Sequence, residues 1–242
     1  MDVETAVKGI TTQGLMLAFL PALIAIGIMY RWSAGAKTAI YATLRMLVQL
    51  LLIGYVLVYI FTADRSGIII GVLFIMLIAA SWIAIRPVRV KQPRVYLNAL
   101  VAVSVSGLLT LGLVSQFVIG VEPWFSPRYL IPLAGMIFAG AMNTVSLAAE
   151  RMQAEIERET PYHEARRAAF QAALIPMINS LFAVGLVSLP GMMTGQILSG
   201  VSPLVAAKYQ IVVMSMLFGV SGISAALYLM LEHRGQSGSG DA

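Results

Sequence analysis

Apolar residues in this chain come in blocks about 20 residues long, the length that carries an α-helix across the hydrocarbon core of a bilayer. No feature constrains the fold more. In hydrocarbon a backbone must satisfy its own hydrogen bonds, so each block has to be a helix or part of a closed barrel. A barrel would show short segments of alternating hydrophobicity, and none is seen. The composition agrees: 59% of residues are hydrophobic and 11% charged, where a soluble domain carries about 25% charged residues. The expected fold is all-α, a polytopic membrane protein with seven transmembrane helices. The spans are read at about Gly14–Tyr30, Thr43–Phe61, Gly67–Ile85, Tyr96–Ile119, Tyr129–Ala148, Ala173–Leu198 (interrupted at Pro190) and Tyr209–Leu231. They form one transmembrane domain over 1–234, and GQSGSGDA at 235–242 reads as a flexible tail.

Charge sets the expected orientation. Arg31, Lys37 and Arg45 lie near the first connection, Arg86, Arg89, Lys91 and Arg94 near the third, and Arg151, Arg158, Arg166 and Arg167 on the fifth; Arg234 follows the last span. The other side carries Lys8, Arg65, Arg128 and Lys208. By the positive-inside rule the crowded side is cytoplasmic, with the N-terminus outside and the C-terminus inside. This placement accounts for the net charge of +5 without nucleic acid as a partner. The N-terminus has acids and no basic stretch before its apolar block, unlike a cleaved signal peptide. With no cysteine there is no disulfide framework or thiolate metal site.

Two segments stand out. The first is the charge-dense connection 149–173, AERMQAEIERETPYHEARRAAFQAA. Arg151–Glu155 and Glu155–Glu159 fall at i,i+4, the first favourable and the second repulsive. Thr160 reads as an N-cap with Pro161 at the first helical position. Two cytoplasmic helices meeting at an elbow near Glu159–Pro161 are expected. They are either solvated extensions of spans five and six or a docking elbow for a cytoplasmic partner. The second segment, Ala173–Gly200, is too polar and too broken for a plain lipid-facing helix. Pro176 and Pro190 interrupt backbone hydrogen bonding, and Asn179, Ser180, Ser188, Thr194 and Gln196 add polar side chains. These read as lining a pathway, with Asn143, Thr144 and Ser146 of span five weighed equally between pathway and interhelical bonding. Gly191 and Gly195 have the GxxxG spacing of close helix packing or a dimer seam. Arg45, four residues before Gln49 in span two, reads as snorkelling to the cytoplasmic surface. Methionines at 136, 142, 177, 192, 193, 214 and 216 fit core filling better than a soft-metal path. No Asp, Glu or His falls deep within a span, which weighs against an ion-coupled carrier and leaves the metal question open.

The chain resembles the FetB-type permeases, membrane subunits of a bacterial ABC system linked to iron export, with plant relatives associated with aluminium tolerance. The resemblance rests on GLVSLPGMMTGQILSG (Gly185–Gly200), KYQIVVM (Lys208–Met214), ALIPMINS (Ala173–Ser180), IPLAGM (Ile131–Met136) and VQLLLIGYVL (Val48–Leu57). It departs from the family pattern at Ala139-Gly140, and keeps only Thr160-Pro161 of a longer motif in the cytoplasmic connection. The resemblance implies a permease of the inner membrane working as a homodimer, exporting iron or another metal. Its energy would come from a cytoplasmic ABC ATPase subunit docked on Glu155, Glu159, Thr160, Pro161, Glu164, Arg166 and Arg167. The chain has no GxxxxGK[ST] phosphate loop, so it is expected not to be an enzyme and to need no cofactor. The alternatives are a stand-alone ion-coupled secondary transporter, export of an organic solute, and a membrane scaffold without transport.

Overall fold

A computed structural model describes residues 9–61, 66–89 and 92–237. Lys8, Arg65, Lys91 and residues 238–242 of the expected tail lie outside the described residues. The chain divides into two compact units, residues 1–63 and 64–242.

The smaller unit is helical. Thr11 caps the first helix, α1 (Thr12–Ala18), by accepting from the Gly14 N–H at 3.1 Å. The helical course breaks at Phe19, where Pro21 begins a new helix, α2 (Leu20–Arg31). Proline is tolerated there because a first-turn N–H has no intrahelical partner. The turn after α2 needs left-handed backbone at Ser33 (φ 54°) and Gly35 (φ 77°). Next, α3 runs over Ala36–Phe61. It takes in the polar stretch before Thr43, so at 26 residues it is about 39 Å long and outreaches the hydrocarbon core. Ala36 and Ile60 are the buried side chains described in this unit.

The larger unit contains α4 (Ser66–Ala84), α5 (Pro93–Gly112) continued by a π-helical stretch (Leu113–Ile119), α6 (Pro127–Ile156), α7 (Tyr162–Ala183), α8 (Gly191–Leu198) and α9 (Pro203–Ser237). Gly235–Ser237, read from the sequence as tail, continue α9. The core lies where α5, α6 and α9 meet, and it is built from small residues. Ala99, Ala102 and Ser106 of α5, Ala134, Ala141 and Ala148 of α6, and Ser221, Ser224 and Ala225 of α9 are all buried. Lipid tails are as apolar as Leu, so helices in a bilayer gain from close backbone approach rather than from burying bulk. Gly107 is the tightest such contact: a Cβ there would come within 2.8 Å of the Phe138 ring. Several buried hydroxyls are satisfied inside their own helices, as with Ser81 Oγ to Leu77 O at 2.8 Å and Ser106 Oγ to Ala102 O at 2.6 Å. Large apolar side chains such as Phe74, Trp82, Leu109 and Ile211 are turned outward, the reverse of a water-soluble protein.

Among the described residues, six helical segments are long and apolar enough to cross a membrane: Thr12–Arg31, Ala36–Phe61, Ser66–Ala84, Pro93–Ile119, Pro127–Ile156 and Pro203–His233. The segment read as a seventh span, 173–198, is not one continuous helix. Of the two prolines expected to interrupt it, Pro176 lies inside α7, while Pro190 stands at the end of the break as the N-cap of α8. The break covers 184–190, where Gly185 takes φ 87° and its N–H donates to Ser188 O at 3.0 Å.

Candidate functional site: an elbow and a broken helix

The elbow lies between α6 and α7. Both helices extend into it, in place of separate short helices. Glu155 is its centre. Its carboxylate meets Arg151 at 2.5 Å and Arg158 at 3.6 Å, and accepts from the Thr160 hydroxyl at 2.9 Å. Glu155 is only 7% exposed, so it is turned inward. The favourable Arg151–Glu155 pair forms as its spacing predicts. The Glu155–Glu159 repulsion is avoided because α6 ends at Ile156 and Glu159 takes left-handed backbone, φ 59°. The Thr160 N–H then returns to Glu155 O at 3.2 Å. Thr160 is therefore not the N-cap of α7. Pro161 occupies that position, without a side-chain cap bond, since the Thr160 hydroxyl is committed to Glu155.

Tyr162, the first residue of α7, fixes the elbow to the end of α9. Its hydroxyl donates to Leu229 O at 2.6 Å, and its ring stacks on His233 with centroids 4.0 Å apart. The Arg166 guanidinium lies 5.7 Å from the Tyr162 ring centre. Burial pushes the Tyr162 phenol above its ordinary value while Arg166 pulls it the other way, so the hydroxyl stays a donor at neutral pH. Nearby, Asn98 of α5 donates to Glu232 of α9 at 2.9 Å. Arg89, after α4, pairs with Glu157 at 3.5 Å, and its N–H donates to Gln153 at 3.0 Å. Arg89, the connection 149–167 and the end of α9 thus meet at one end of the unit. Glu159, Pro161, Glu164, Arg166 and Arg167 are exposed on it. Sequence reasoning missed Tyr162, Asn98 and Glu232, whose partners lie far away along the chain.

The residues read as a pathway are not gathered in one place. Asn143 on α6 and Asn179 on α7 are exposed, with no side-chain partner among the described residues. Counted from the elbow, they lie about 21 and 27 Å along two neighbouring antiparallel helices. Ser146 is half-buried. Ser180 and Thr194 donate to the carbonyls four residues back, Pro176 at 2.9 Å and Pro190 at 3.2 Å. Ser188 closes the tight turn that breaks the helix. Gln196 lines a cavity of about 320 Å³ with Met136, Met192 and Tyr209. A Cβ added at Gly191 or Gly195 would meet nothing within 4 Å, so this GxxxG face is open. Among the described residues no cluster of three or more His, Cys, Asp or Glu could hold a metal ion.

Six helical segments among the described residues that are long and apolar enough to cross a membrane mark a multi-pass α-helical membrane protein. The chain belongs to UPF0014, an uncharacterised protein family, whose match covers residues 12–235. It is 36% identical to a UPF0014 membrane protein of Synechocystis over 87% of each chain. It is 32% identical to the probable iron export permease protein FetB of Escherichia coli over 93% of this chain and 92% of FetB. It is also 32% identical to the protein ALUMINUM SENSITIVE 3 of Arabidopsis over 86% of this chain and 81% of the relative. No solved structure matches.

Proposed function

We propose that the chain is the permease subunit of an ABC-type transporter of the inner membrane, working as a homodimer, driven by a separate cytoplasmic ATPase and exporting iron or another metal. The observation that carries this reading is the elbow, together with near full-length similarity to a protein named as an iron export permease. A buried carboxylate, two guanidiniums and a threonine hold one turn in a fixed shape. Exposed charges at Glu159, Glu164, Arg166 and Arg167 surround it. A stiff, charged projection suits a partner that pushes on it, and mixed charges guide association. Glu155 acts from within as the brace, and the exposed charges meet the partner.

Residues 173–198 supply the seventh crossing. Tyr162 bonds to Leu229 near one end of α9, while Met192 and Gln196 share a cavity with Val205 and Tyr209 near the other. The 20 helical steps from Tyr209 to Leu229 span about 30 Å, the thickness of a bilayer core. With seven crossings the basic end faces the cytoplasm, the C-terminus is inside and the N-terminus outside. The broken crossing and Asn143, Ser146, Asn179, Ser180, Ser188 and Thr194 line the transport pathway, because unpartnered amides are costly against lipid. The open face at Gly191 and Gly195 forms a seam with the second copy.

Affinity capture of the full chain from its own membranes tests the assignment. The expected result is stoichiometric recovery of a cytoplasmic polypeptide bearing a GxxxxGK[ST] phosphate loop. A chain that transports after purification with no such partner would overturn it in favour of an ion-coupled carrier.

A further inference from the structure

A second cavity lies between α4 and α5, at the end of the larger unit where α6 begins. Leu73 and Leu77 of α4, Leu111 of α5 and Leu130 of α6 form its floor, and all four are buried. Its rim, at Phe74 and Leu108, is exposed. The lining runs from Ile70 to Leu77 on one helix and from Leu108 to Gln116 on the other, each about 10 Å. The cavity is therefore a slot parallel to the helices, open on its outer side. Gly112 forms part of the wall, and a Cβ added there would meet nothing within 4 Å. The helix also changes here, α5 giving way at Leu113 to the π-helical stretch, a feature frequent at functional positions. No side chain of the lining is charged, and its polar groups gather at one end. The exposed Gln116 gives one amide N–H to Ser115 Oγ at 3.2 Å. Its second N–H and the indole N–H of the half-exposed Trp124 have no partner among the described residues.

These features narrow the occupant. A buried water needs several polar partners, which the leucine floor lacks. A void would leave that floor without contacts on one side. A transmembrane helix is about 10–12 Å across with its side chains, so it can only lie over a slot between two packed helices, not in it. A hydrocarbon chain fits, and the free N–H groups at one end complement a neutral acceptor. We propose that the slot holds one acyl chain of a glycerophospholipid from the leaflet opposite the elbow, with the chain's ester carbonyl accepting from Gln116 and Trp124. Trp124 then sits at the depth where aromatic side chains meet the membrane interface. Because the donors are neutral, the site reads the chain and its ester and ignores the charge of the head group. A volume of about 570 Å³ is about twenty times the share of one liquid water, room for the greater part of one chain. The inference does not depend on what the chain transports.

The test takes the full chain from nanodiscs of phosphatidylcholine or of phosphatidylglycerol with the same acyl chains, and counts retained lipid by native mass spectrometry. The expected result is one phospholipid held per chain, equally for both head groups. Gly112→Leu fills the slot from its own wall and should lower retention at least roughly tenfold. Leu108→Phe narrows the slot from the exposed rim, where folding is not at stake, and should act in the same direction. Gln116→Leu should lower retention about fivefold, the loss of one neutral hydrogen bond. Gly222→Leu, on α9 and also facing open space, should change nothing. Retention unchanged in both Gly112→Leu and Leu108→Phe would overturn the site. Retention of phosphatidylglycerol alone would show recognition of head-group charge and overturn the ester assignment. Conversion of a dimer to a monomer by Gly112→Leu, with retained lipid unchanged, would show that a second copy covers the slot and would overturn the lipid as its occupant.

Discussion

Glu155 shows how one residue sets the shape of a connection. Its carboxylate is nearly enclosed while its partners Arg151 and Arg158 are 39% and 66% exposed. The guanidiniums can therefore rehydrate if the carboxylate is lost, and the cost of losing it stays moderate. Glu155→Gln keeps the volume and can still accept from Thr160, but removes the charge that both arginines face. We expect a loss of about 1–2 kcal/mol, read as a lower Tm of the purified protein, with normal membrane insertion. A Tm unchanged within error would mean that the elbow is held by backbone turns alone. The sequence showed the Arg151–Glu155 pair because i,i+4 spacing is local. It did not show that Thr160 turns to Glu155 rather than capping α7, because that choice depends on where α6 stops. Nor did it show Tyr162 reaching Leu229, 67 residues away.

At the scale of elements, apolar length was the legible signal, and it located the six long helical segments. The broken segment was legible as unusual but not in its geometry. The prolines marked candidate breaks; α7 absorbs Pro176, and the chain breaks between Gly185, which permits positive φ, and Pro190, the N-cap of α8. The proposed pathway belongs to this scale, since it depends on which helix faces surround water. The natural chain has no cysteine, so single cysteines at Asn143, Asn179, Ser188 and Thr194 can be read against a blank background. These positions should react with small hydrophilic thiol reagents at least about tenfold faster than cysteines at Leu109 or Ile211, whose side chains point outward. Hydrocarbon excludes the thiolate that reacts. Rates equal to those controls would remove the helices α6 to α8 from the pathway.

At the scale of the molecule, the fold joins two ends through continuous helices. The elbow, the start of α5 and the end of α9 are tied together by Tyr162, Asn98 and Glu232. From there α9 runs unbroken for 35 residues to the cavity beside α8. In the proposed coupling, a push on the elbow is delivered to a helix about 50 Å long that reaches the other end of the unit. Membrane class and family resemblance were legible in the sequence; this mechanical link was not, because it is made of contacts distant along the chain. The most direct test places the purified chain and the proposed ATPase in sealed inside-out vesicles and follows metal entry on adding ATP. The account predicts ATP-dependent accumulation of ferrous iron or another metal. It also predicts loss of that coupling in a Glu164→Lys, Arg166→Glu, Arg167→Glu variant that still inserts normally. Metal movement that follows an ion gradient and ignores both ATP and the triple variant would contradict it.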